Sequence, residues 1–254
     1  MFVNIVFFTT YNLNGEKMIE IFSLSHFLII IFFIILPIFL VRFKLSYKVL
    51  IFLLLFLEVL RLEVNLDHFE INEDLSLQLC FIYPFIGVLS VFFKSSLFRD
   101  YLGSFGWFFG VVGIVFSNPN PLFSFSTLHL YFYHSLMILI SFLILKNKIT
   151  TSFLPLFIIL IVQIFFTFIV NFIIGNGCNY MFLNTFLFPY DKAVYKVNID
   201  VLSMHVFGSL SYLDILDKIY ACLGGVYYVF LISLFSTIIY IVYIASLKIG
   251  TKKP

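Results

Sequence analysis

Charge is what this sequence has least of. Only 11% of its 254 residues are charged, against about a quarter in soluble domains, which excludes an ordinary water-facing surface. Stretches polar enough to make a separate soluble domain are missing as well. The three cysteines, Cys80, Cys178 and Cys222, are too few and too differently placed for a disulfide framework. A bridge between Cys178 and Cys222, which fall at the same end of the expected helices, stays open. No C-x-x-C or H-x-x-x-H spacing occurs, so neither a metal site nor a cofactor is expected. The first twenty residues carry no basic run and no small-residue cleavage site, and do not read as a signal peptide. A single Trp beside 37 Phe is compositional apolar bulk, not a stacking platform, and no nucleic-acid partner is expected.

What is there is hydrophobic: 62% of the residues, with a mean hydropathy of +1.11. At roughly 20 apolar residues per span, the chain reads as all-α, a polytopic transmembrane bundle of about seven helices. The spans are expected near 22–41, 49–66, 75–93, 103–116, 127–145, 153–174 and 222–247. Residues 1–20 read as an interfacial N-terminus, 21–248 as the helical domain with an outer loop or re-entrant segment at 175–220, and 249–254 as a basic tail. The connections at 42–48, 94–99 and 146–148, with Lys248 and the tail, hold ten of the 15 Lys and Arg. By the positive-inside rule this places the N-terminus outside and the C-terminus in the cytoplasm of a multi-pass cell-membrane protein. In the fourth span, Gly106-x-x-x-Gly110 with Gly103 and Gly113 is the small-residue spacing that lets helices approach closely.

Ionisable groups inside a membrane are costly and therefore mark candidate sites. Counting about 1.5 Å per residue from the outer helix ends puts His26 about 6 Å, Cys80 about 8 Å, His134 about 11 Å and Glu58 about 12 Å deep. Glu58 and Arg61 stand at i,i+3, close enough to pair on one helix face. In the inner half the polar residues are mainly hydroxyls such as Ser90 and Ser141, which can bond backbone carbonyls. A thiol beside an imidazole suits nucleophilic acyl chemistry: the imidazole takes the proton and the thiolate attacks an ester or thioester. Cys80 and His134 have those roles open to them, with Asn179 or backbone N–H groups of the Gly175-to-Cys178 break available to an oxyanion. The bland alternatives are an inert buried cysteine, a carbonyl-bonded His26 and a purely structural Glu58–Arg61 pair. His68, His129 and His205 read as interfacial or loop residues.

The motifs Phe22-Ser23-Leu24-Ser25-His26, Leu75-Ser76-Leu77-Gln78-Leu79-Cys80, Phe132-Tyr133-His134 and Asn179-Tyr180-Met181-Phe182-Leu183 follow one another in an order that resembles the YwaF-like integral membrane proteins. Animal relatives of that family include a transmembrane acyltransferase that remodels ether phospholipids. The resemblance covers most of the chain and implies a nucleophilic Cys80, a partner His134, and Asn179 and Tyr180 near the site. Ser76 stands where that family usually has proline, and the chain after Leu183 is expanded before Ser209-Leu210-Ser211-Tyr212-Leu213-Asp214. The resulting expectation is a membrane enzyme acting on phospholipid or another acyl lipid in the bilayer. The alternatives are a small-molecule or ion transporter lined by His26, Glu58 and His134, and a non-catalytic membrane scaffold.

Overall fold

In the computed structural model, the residues described are 9–11, 17–19, 24–43, 45–64, 79–115, 125–174, 205–207, 210–211 and 227–251. Among them are seven helices: α1 (Leu24–Leu40), α2 (Tyr47–Val64), α3 (Leu79–Phe92), α4 (Ser96–Val115), α5 (Phe125–Leu145), α6 (Phe153–Ile174) and α7 (Tyr227–Thr251). Two short antiparallel pairings, which the all-helical expectation did not include, accompany them: β1 (Thr9–Tyr11) with β2 (Lys17–Ile19), and β3 (His205–Phe207) with β4 (Leu210–Ser211). His205 is thus a strand residue. The chain divides into two compact units, one of Met1–Val64, Cys80–Ser152 and Val242–Pro254, the other of Asn65–Leu79 and Phe153–Ile241.

Apolar side chains are divided between a buried core and an exposed surface. Along α1, Phe27, Leu28, Ile31, Phe32, Ile35 and Ile38 are exposed, while His26, Ile30, Phe33 and Pro37 are buried. A helix that hides a histidine and leaves three of its four phenylalanines exposed is built for an apolar surrounding. Among the described residues, two helices are both long and apolar enough to cross a bilayer, α5 over Thr127–Leu145 and α7 over Ile232–Gly250, with mean hydropathies of 1.8 and 1.9. Shorter apolar stretches run over Leu24–Leu40, Cys80–Phe92 and Phe153–Thr167. In α2 and α4, Lys48, Glu58, Arg61 and Glu63, and Arg99 and Asp100, dilute the hydropathy.

In the first unit α5 is the centre, with α4, α1 and α2 packed on it. The α4 glycines set the spacing. A Cβ on Gly103 would stand 2.7 Å from Ile144 Cγ2, one on Gly110 would stand 2.7 Å from the His134 carbonyl oxygen, and one on Gly106 would overlap Tyr83 and Ser141. Close approach of α4 to α5 is therefore the reason for the stripe, as its spacing predicts. On another face of α5, Tyr131 stacks on Phe33 of α1 at 5.0 Å and the Ser135 hydroxyl donates to the Phe33 carbonyl at 2.7 Å.

Helix α4 starts seven residues before its expected span. Ser95 caps it, its Oγ accepting from the Phe98 N–H at 3.4 Å, and Lys94 at φ 49° turns the chain out of α3. The early start is possible because Asp100, fully buried, is neutralised in place. Its Oδ1 accepts from Arg99 Nε and Nη2 at 2.9 and 2.7 Å. Its Oδ2 accepts from the N–H and hydroxyl of both Thr150 and Thr151 at 2.9–3.0 Å. Other polar groups at this level bond one another. Tyr83 and Ser141 share the Leu102 carbonyl, Ser90 donates to the Gly87 carbonyl, and Trp107 Nε1 donates to Ser246, whose hydroxyl reaches the Ser104 and Val242 carbonyls.

Candidate functional site

Cys80 lies in the first described turn of α3 as a free, half-buried thiol. Glu58 and Arg61 lie within electrostatic reach of it. Its carbonyl accepts from the Tyr133 hydroxyl at 3.0 Å. Glu58 and Arg61 form the pair that their spacing predicts, closed in two places: Nη2 to Oε1 at 2.9 Å and Nε to Oε2 at 3.3 Å. The Arg61 guanidinium also lies over the Phe81 ring at 4.4 Å, and Phe81 meets Tyr133 edge-on at 5.6 Å. Glu58, Arg61, Phe81, Cys80 and Tyr133 thus form one cluster drawn from α2, α3 and α5.

His129 belongs to the same neighbourhood, and it is a helix residue, not a loop one. It is buried, and Nε2–H donates to the Leu57 carbonyl at 3.1 Å, while its ring lies 5.4 Å from that of Tyr133. The i,i+4 spacing of His129 and Tyr133 puts both on the α5 face that meets α2 and α3.

His134, one residue on, is turned about 100° away from Tyr133. It is buried, and Nδ1 lies 2.7 Å from the Leu130 carbonyl. A carbonyl only accepts, so Nδ1 carries the proton and Nε2 keeps its lone pair. Nε2 is buried and makes no hydrogen bond among the described residues. The imidazole occupies the place where a Cβ on Gly113 would stand, so that glycine makes room for the ring as well as for helix approach. Cys80 and His134 are therefore not hydrogen-bonded to each other.

His26 is fully buried in the first turn of α1. Asn179 and Tyr180, like Cys178, Cys222 and His68, lie outside the described residues. Sequence reasoning passed over Tyr133, whose only signal was its place beside His134, and Asp100, which was hidden behind Arg99 as the end of a span.

No curated protein and no solved structure matches the chain. A family model does, over residues 21–243, a range that holds all six expected site residues. The chain belongs to the TMEM164 family, a family of transmembrane proteins.

Proposed function

We propose that this membrane protein is an enzyme that transfers or hydrolyses fatty acyl groups of phospholipids through a thioester on Cys80, with His134 as base and acid. The observation that carries the reading is His134 Nε2: a buried basic nitrogen with its lone pair uncommitted, held in that tautomer by the Leu130 carbonyl. Leaving such an atom unpaired costs about 1–3 kcal/mol, which a purely structural histidine has no reason to bear. The resemblance to YwaF-like proteins and their acyltransferase relatives supports the same assignment.

In the reaction, the Cys80 sulfur attacks the acyl carbonyl carbon as its proton passes to His134 Nε2. The tetrahedral intermediate collapses, the ester C–O bond breaks, and the departing lysophospholipid oxygen takes the proton from His134. An acceptor alcohol or water then attacks the thioester, gives its proton to His134, and restores the thiol as the new acyl product leaves. The sulfur and imidazole come within hydrogen-bond reach with substrate in place, a tightening common to sites of this kind. Glu58 and Arg61 brace the thiol's surroundings, and His26, Asn179 and Tyr180 are assigned to substrate support. The ten-to-five division of Lys and Arg supports an outside N-terminus and a site in the outer half of a multi-pass cell-membrane protein.

A transporter needs polar groups that can exchange partners along a path. Glu58 is held twice by Arg61 and Asp100 accepts six hydrogen bonds, which weighs against that use. The test is an electrophilic acyl-lipid probe applied to membranes: Cys80 is expected to be labelled in preference to Cys178 and Cys222. Equal labelling of all three, with phospholipid acyl exchange unchanged by Cys80→Ala, would remove the enzyme reading.

A further inference from the structure

In an α-helix the carbonyl of residue i accepts from the N–H of residue i+4. For Cys80 that residue is Pro84, which lies inside α3 and has no N–H to give. The proline leaves the cysteine's own carbonyl without its helical donor. The Tyr133 hydroxyl supplies one at 3.0 Å, across 53 residues of sequence. Tyr133 is fully buried, its ring in contact with those of Phe81 and His129, and it immediately precedes His134.

We propose that Tyr133 is a positioning residue: by taking the Cys80 carbonyl that Pro84 leaves open, it ties the thiol's backbone to the turn of α5 that presents His134. The inference rests on the acyl-transfer reading for what the thiol does, and on the Pro84–Cys80–Tyr133 geometry alone for how the thiol is held. The clamp fixes register along two helices at once. A shift of α3 along its axis breaks the bond, so the distance between the sulfur and the imidazole is set by an element whose removal leaves both reacting groups in the chain. Orientation of this kind carries large weight, since a displacement of about 1 Å can cost about 100-fold in rate.

The arrangement offers a test with its own rescue. Tyr133→Phe keeps the ring packing and removes only the hydroxyl, while Pro84→Ala returns an N–H to position 84 and lets the helix satisfy the Cys80 carbonyl itself. The full-length protein in nanodiscs is assayed for turnover of a p-nitrophenyl fatty acyl ester. In parallel, the rate of Cys80 alkylation by N-ethylmaleimide is followed across pH, with mass spectrometry separating Cys80 from Cys178 and Cys222. Tyr133→Phe is expected to lower kcat by about 10- to 100-fold with KM changed less than about 2-fold, and to change the alkylation rate of Cys80. Adding Pro84→Ala is expected to recover about 10-fold or more of kcat and the original alkylation rate. A Tyr133→Phe protein with wild-type kcat and alkylation rate overturns the clamp, and so does a loss that Pro84→Ala leaves unrescued. Should the wild-type protein turn over no ester at all, the acyl-transfer reading fails, and the alkylation rates alone decide the clamp by the same two criteria.

Discussion

Gly113 has no side chain because the His134 ring stands where one would begin. Gly113→Ala is therefore expected to displace the imidazole or push α4 off α5, and to lower acyl turnover more than Gly103→Ala, whose neighbour Ile144 can yield. Comparing the two variants for expression and for turnover separates a loss of the site from a loss of the fold. At the reacting groups, Cys80→Ala and His134→Ala are each expected to abolish turnover, by nearly equal amounts, because a nucleophile and its base act as a unit. Cys80→Ser should also be poor, since an alcohol is far less acidic than a thiol. Phospholipid acyl exchange in membranes reads all three. Cys80 and His134 were legible in the sequence as candidates, because a thiol and an imidazole at membrane depth need an explanation. Tyr133 was not, since tyrosine is common here, at 15 residues, and its role appears only when Pro84 is counted four residues from Cys80.

Between the described helices, polar contacts such as Ser135 to the Phe33 carbonyl and Tyr133 to the Cys80 carbonyl are single hydrogen bonds. The Glu58–Arg61 pair is internal to α2, yet its guanidinium lies on Phe81 of α3, so it braces one helix against the next. Replacing either member alone leaves an orphaned buried charge and is expected to cost about 3–5 kcal/mol. The double replacement by apolar residues should cost less, and thermal unfolding in detergent of Glu58→Leu, Arg61→Leu and the pair measures the difference. Equal stability of all three would mean that the pair does not brace the helices. Helix positions were legible from hydropathy to within a few residues for α1, α2, α5 and α6. The start of α4 was not: Arg99 and Asp100 look like the end of a connection until Thr150 and Thr151, fifty residues away in sequence, are seen to satisfy the carboxylate. A sequence displays the charge but not its distant partners.

For the whole protein, the division of Lys and Arg predicts that the turn between α5 and α6 faces the cytoplasm. A cysteine introduced as Lys148→Cys is expected to react with a membrane-impermeant maleimide only after permeabilisation; reaction in intact cells would reverse the orientation. Asp100 lies near that turn, and Asp100→Ala strands two N–H groups and two hydroxyls, with an expected loss of about 3 kcal/mol or more in thermal unfolding. The Asp100 contacts also impose an order in time. The carboxylate is made fifty residues before its threonine partners, which at synthesis rates of about 5–20 residues per second is a wait of roughly 3–10 s. Until Thr150 and Thr151 leave the ribosome, Asp100 has only Arg99 and water, so the first turn of α4 stays hydrated at the membrane face.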